Sequence, residues 1–124
     1  MKSTVMIALG SALGGLAVIL GAFGAHALES TLTANGRTAT YETGSRYHLI
    51  HALALVILGM LAHQFPQKNL APAAWLWIVG MVLFSGSLYT LSITNQTILG
   101  AVAPLGGLGF ILGWAWIAWQ FIKG

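Results

Sequence analysis

Cysteine is absent from this 124-residue chain, and charge is nearly so: five residues are Lys or Arg and two are Asp or Glu. The first absence removes disulfides, thiolate metal ligands and a cysteine nucleophile. The second removes the soluble globular class, because 6% charged residues compares with about 25% in soluble domains. The basic balance behind a pI near 9.7 comes from scattered residues and contains no basic run, so no nucleic-acid partner is expected. No G-x-S-x-G elbow and no Ser–His–acid spacing is visible, and nothing in the chain points to an enzyme. Internal repeats are missing too. What remains is apolar: 57% of the residues are hydrophobic, with 16 glycines among the rest.

These apolar residues lie in runs sized for a bilayer. The uncharged run 3–28 exceeds the roughly 20 residues that cross a hydrocarbon core. The run 47–67 makes a second crossing, and 69–122 is long enough for two more folded back on each other. The expected fold is an all-α integral membrane protein, a single domain over 1–124 with four transmembrane helices in an up-down bundle at about 3–28, 44–64, 72–92 and 102–122. The lipid bilayer is its first partner. The second helix has grounds to start earlier, near Thr38, since Glu42 and Arg46 are spaced i,i+4 in the favourable order. Lys2 and Ala25-His26-Ala27 resemble parts of a signal peptide, but the first run far outlasts an h-region and reads as a retained helix. Asn35-Gly36 marks a turn, Pro66 ends the second helix, and Pro104 is expected in the first turn of the fourth. Four crossings put Lys2, Lys68 and Lys123 on one side and Arg37, Arg46 and both glutamates on the other. The positive-inside rule then predicts both termini in the cytoplasm. Five tryptophans fall toward the lysine side and three tyrosines toward the other, as two interfacial belts would.

Small residues supply the packing signal. Gly10 and Gly14, and again Gly109 and Gly113, form G-x-x-x-G; Ala52 with Gly59 and Gly80 with Ser87 are heptad-spaced. Between helices in lipid, close backbone approach replaces the hydrophobic effect as the cohesive force. Such stripes either pack the helices of one chain or join protomers in a homo-oligomer, and both readings stay open here.

The unusual polar residues gather at the non-cytoplasmic end. His26 and Glu29 close the first helix, Glu42, Arg46, His48 and His51 open the second, and Tyr89 lies near the end of the third. An ionisable group within a membrane segment is a functional hypothesis by default. One reading is a polar pocket centred on His26, His51 and Tyr89, with Glu29, Glu42 and Arg46, that binds or conducts a small solute, ion or lipid headgroup. A second is a metal site on His26, His48 and His51, since neutral imidazoles at i,i+3 share a helical face; no carboxylates from the third and fourth helices support it. The third is a structural or assembly subunit whose polar end only clamps helices, because polar groups in lipid must be paired. No cofactor is expected.

Four blocks carry a resemblance: Gly21-Ala22-Phe23-Gly24-Ala25-His26; Thr43-Gly44 with Tyr47 and His51-Ala52-Leu53-Ala54-Leu55; Leu83-Phe84-Ser85-Gly86-Ser87-Leu88-Tyr89; and Ala103-Pro104-Leu105-Gly106-Gly107. In this order they resemble the YgdD/YwdK-like family of small bacterial inner-membrane proteins, domain-of-unknown-function family 423. The resemblance implies a multi-pass four-helix protein of the bacterial inner membrane and supplies no activity. Ala27 stands where the family usually has glycine after the first histidine, and His48 lies outside these blocks.

Overall fold

The computed structural model describes all residues, 1–124. It contains helices and no strands: α1 (Ser3–Ala25), a short α2 (Glu29–Asn35), α3 (Thr38–Gln64), α4 (Ala71–Gly80), a π-helical segment (Met81–Ser85), α5 (Gly86–Thr94) and α6 (Leu99–Ile122). The π segment joins α4 and α5 into one rod, so four helices are long and apolar enough to cross a membrane: α1, α3, Ala71–Thr94 and α6.

The crossings pack in chain order, the first on the second, the second on the third and the third on the fourth. The first and fourth make no extended contact, so the arrangement is open and not a closed ring of four. Burial follows: within their most apolar stretches 39% of residues are buried in the second and third crossings, against 17% and 22% in the first and fourth. Glycines set the spacing. A Cβ on Gly10 would stand 2.9 Å from the Ala52 carbonyl oxygen, and one on Gly59 would stand 2.8 Å from that of Ser3. On the other side, Gly80 and Gly106 face each other, each with the other's carbonyl oxygen within 3.0 Å of where a Cβ would be. The expected stripes therefore pack helices within one chain.

Element ends differ from expectation for local reasons. The first helix stops at Ala25, where the His26 amide turns back to Ala22 and Phe23 and the Leu28 N–H closes the end on the Phe23 carbonyl at 2.8 Å. The gap that follows is itself helical in α2 and ends on Gly36 at φ 65°, a left-handed cap that glycine adopts without a Cβ clash. The second crossing starts at Thr38. Its 27 residues span roughly 40 Å, more than a core of roughly 30 Å. The fourth crossing begins at Leu99 through i→i−3 hydrogen bonds at Leu99, Gly100 and Ala101, which puts Pro104 inside the helix and not in its first turn.

Each end is strapped. At the polar end the Asn35 amide donates to the Ser92 and Ile93 carbonyls at 3.0 and 3.1 Å, satisfying acceptors left over at a helix C-terminus. Arg37 Nε–H donates to the Asn95 side-chain oxygen at 3.1 Å. At the other end Gln120, 2% exposed, accepts Lys68 Nζ on its carbonyl at 2.6 Å and the Asn69 N–H on its side-chain oxygen at 3.2 Å. Gln120→Leu removes that side-chain acceptor, and thermal melting in detergent should register a loss of about 1–3 kcal/mol.

Candidate functional site

The polar residues of the second crossing divide by helical face. His48 shares a face with Gly44 and Ala52, one turn to either side, and is directed between the first and third crossings. There its Nδ1 and the Tyr89 hydroxyl are joined by a 2.9 Å hydrogen bond. Tyr89 packs against Tyr41 with ring centroids 5.0 Å apart, and the Tyr41 hydroxyl donates to the Leu20 carbonyl on the first crossing. Ser85 Oγ–H donates to the Gly44 carbonyl at 2.7 Å. Small residues at Gly24 and Gly44 make this possible: a Cβ on Gly24 would collide with the Tyr41 ring, and one on Gly44 would lie 3.1 Å from Leu88.

His51, one turn deeper, faces the fourth crossing. Its Nδ1 is 2.7 Å from the Tyr47 carbonyl, and the Trp114 indole N–H donates to its Nε2 at 3.0 Å. A carbonyl only accepts and an indole N–H only donates. The two contacts therefore fix a neutral ring with its proton on Nδ1, leaving neither nitrogen free. The ring also stacks on Phe110, with centroids 3.7 Å apart and planes 12° apart. Trp77 completes the layer, its N–H donating to the Phe110 carbonyl at 3.3 Å. At 1% exposure, Trp77 belongs to the core and not to an interfacial belt.

The remaining sequence candidates lie outside these two clusters. His26, Glu29 and Arg46 are exposed, and Glu42 lines a small polar recess of about 90 Å³ with Gly21, Gly24, Thr38, Tyr41 and Ser45. His26 thus does not meet His51 and Tyr89; Tyr89 meets His48 instead. No group of three His, Asp or Glu side chains converges on a point where a metal would sit. No buried side-chain nitrogen or oxygen is left without a hydrogen-bond partner. The sequence offers His48 only as a metal-ligand candidate, and singles out neither Trp114 nor Gln120 as a partner. For His48 a signal existed, since it sits on the Gly44–Ala52 small-residue face; for Trp114 and Gln120 none did.

Comparison with known proteins adds a family. Residues 20–107 match the family model described as a protein of unknown function, DUF423. The chain is 45% identical over 120 residues to UPF0382 membrane protein YwdK of Bacillus subtilis, covering 96% of this chain and 97% of that one. It is 42% identical over 110 residues to a UPF0382 membrane protein of Staphylococcus epidermidis, covering 89% and 88%. A UPF0382 membrane protein of Haemophilus influenzae is 32% identical over 113 residues, covering 89% and 87%. No solved structure matches the chain.

Proposed function

This chain belongs to the DUF423 family of membrane proteins of unknown function, and we propose that it is a structural or assembly subunit of the bacterial inner membrane whose buried histidines fasten helices and bind no solute. The observation that supports this most is His51: both ring nitrogens are engaged inside the chain, one on Tyr47 and one by Trp114. A carrier site in lipid needs polar atoms that a substrate can reach, and the two engaged ring nitrogens of His51 offer none. One cavity is lined by apolar side chains and Trp77 and Trp114, and a second by Leu13, Leu16, Leu20, Met81 and Val82 together with His48 and Tyr89. The solute or headgroup reading keeps two specific supports, the recess beside Glu42 and the cavity lined in part by His48 and Tyr89. We place both termini in the cytoplasm on the strength of Lys2, Lys68 and Lys123, and a reporter active only in the cytoplasm should light up when fused after Gly124.

The test of the clamp is a double-mutant cycle on Tyr89→Phe and His48→Ala, read by thermal melting in detergent. Interhelical hydrogen bonds in membranes couple by about 0.6 kcal/mol on average and reach about 1.7. A coupling in that range is expected. Additive variants that keep full stability but abolish a cellular phenotype would instead favour a working polar site.

A further inference from the structure

Thr38, Glu42 and Ser45 follow one another at i, i+4 and i+7 along α3, so they share a helical face. That face meets α1 near its end, at Gly21, Gly24 and Ala25. Together these six residues line a recess of about 90 Å³. Two of the residues that α1 brings are glycines, which leave the space open. Buried Leu32 and Tyr41 complete the lining, and the Tyr41 hydroxyl is already bonded to the Leu20 carbonyl.

What this recess offers is oxygen. The Glu42 carboxylate and the Thr38 and Ser45 hydroxyls come from α3. From α1 come acceptors left over at a helix C-terminus: the His26 and Leu28 amides that close this helix go to Ala22 and Phe23, and none of the closing bonds goes to Gly24 or Ala25. Carbonyls in that position carry the negative end of the helix dipole. No lysine, arginine or histidine is among the lining residues, and Arg37, next to Thr38, donates to Asn95 instead. Glu42 is exposed, so an ion arriving from water can reach it. Calcium takes carboxylate, carbonyl and water oxygens in flexible geometry, whereas magnesium demands a near-ideal octahedron and dehydrates reluctantly. An irregular set of oxygens drawn from two helices therefore suits calcium.

We infer that this recess binds one calcium ion, held by Glu42 with Thr38, Ser45 and the terminal carbonyls of α1, and that the ion pins the end of α1 to α3. The inference goes beyond the clamp reading and uses none of its histidine contacts. A failed calcium titration would leave the His48–Tyr89 coupling standing, and a missing coupling would leave the calcium site standing.

The test is thermal melting of the full chain in neutral detergent, stripped of divalent ions and titrated with calcium chloride at constant ionic strength. A site with a single carboxylate belongs at the weak end of calcium affinities, with a dissociation constant of about 10⁻⁴–10⁻³ M. At ten times that concentration the melting temperature should rise by about 5 °C, and magnesium should raise it much less. Glu42→Gln keeps the shape of the side chain and should abolish the rise. Glu29→Gln alters an exposed carboxylate outside the recess and should keep it. Gly21→Val should fill the recess and remove most of the rise; a Cβ there makes only ordinary contact, 3.5 Å from Ser45 Oγ. If Glu42→Gln yields no folded protein, Gly21→Val and Ser45→Ala decide, and a full rise in both would overturn the inference. So would no rise in the wild type, an equal rise with magnesium, a rise that survives in Glu42→Gln, or one that is lost in Glu29→Gln.

Discussion

Gly106→Val is expected to yield little or no folded protein. At this position the third and fourth crossings touch backbone to backbone. A Cβ would run into the Phe84 amide nitrogen and lie 2.8 Å from both the Phe84 Cα and the Gly80 carbonyl oxygen. Side chains can swing away from an intruding methyl, but two helix backbones can separate only as rods. Overpacking a core costs about 1–3 kcal/mol where neighbours relax. With backbone on both sides, Gly106→Ala should cost at least about 3 kcal/mol, and valine more, against a total stability of about 5–15 kcal/mol. The same displacement would pull Phe110 from Gly80 and His51, spreading the damage into the aromatic layer. The control is close at hand: an added Cβ at Gly86 meets nothing within 4 Å, so Gly86→Ala should be neutral or gain about 0.5–1 kcal/mol from helix propensity. Extraction yield, elution profile and thermal melting in detergent read both. A well-folded Gly106→Val protein would mean that the third and fourth crossings do not meet there.

The contrast between Gly106 and Gly86 shows what the sequence could and could not reveal. That four runs are long and apolar enough to cross a membrane as helices was plain, because a helix satisfies its backbone within its own segment. That glycines bring helices together was plain for the same reason. Which glycine meets backbone and which meets open space depends on the rotation of each helix, and the π segment alters that rotation. Between Met81 and Ser85 the chain takes a wider turn, with the Gly86 N–H bonded to the Met81 carbonyl. This shifts the phase of Tyr89 and Ser92 relative to Gly80, and no residue pattern announces it. Tyr89 was expected to group with His26 and His51, and it is bonded to His48 instead.

The two histidines show a related limit. At i,i+3 they were legible as sharing a helical side, which left metal ligation open beside a clamp between helices. Their neighbours pull them apart. His48 looks toward Tyr89 on the third crossing, and His51 looks toward Trp114 on the fourth. A helical face is wide enough to address two partner helices, and only the arrangement of the crossings in space decides which. Gln120 was hidden differently, since a glutamine near a lysine-rich end reads as interfacial. Its 2% exposure follows from a loop that folds over it, and loop paths leave little trace in composition.

His51→Ala should be the most damaging substitution in the polar network, and His51→Phe should separate its causes. Alanine removes a ring stacked on Phe110 at 3.7 Å and deletes the acceptor of the Trp114 N–H at 3.0 Å. Large-to-small changes in packed cores cost about 2–5 kcal/mol. Phenylalanine restores a flat ring of similar size in the same layer but offers Trp114 no acceptor. If His51 is a fastener, His51→Phe should recover most of the lost stability and remain about 1 kcal/mol short, the net worth of one hydrogen bond. In that background Trp114→Phe should change stability little, because the bond it would break is already gone. If His51 instead served a ligand or a proton, the ordering would differ. His51→Phe would then melt like the wild type and Trp114→Phe would carry its own separate cost, while any cellular phenotype of the gene would be lost in His51→Phe. Melting curves for the four proteins, beside the wild type, therefore test the clamp without requiring the activity to be known.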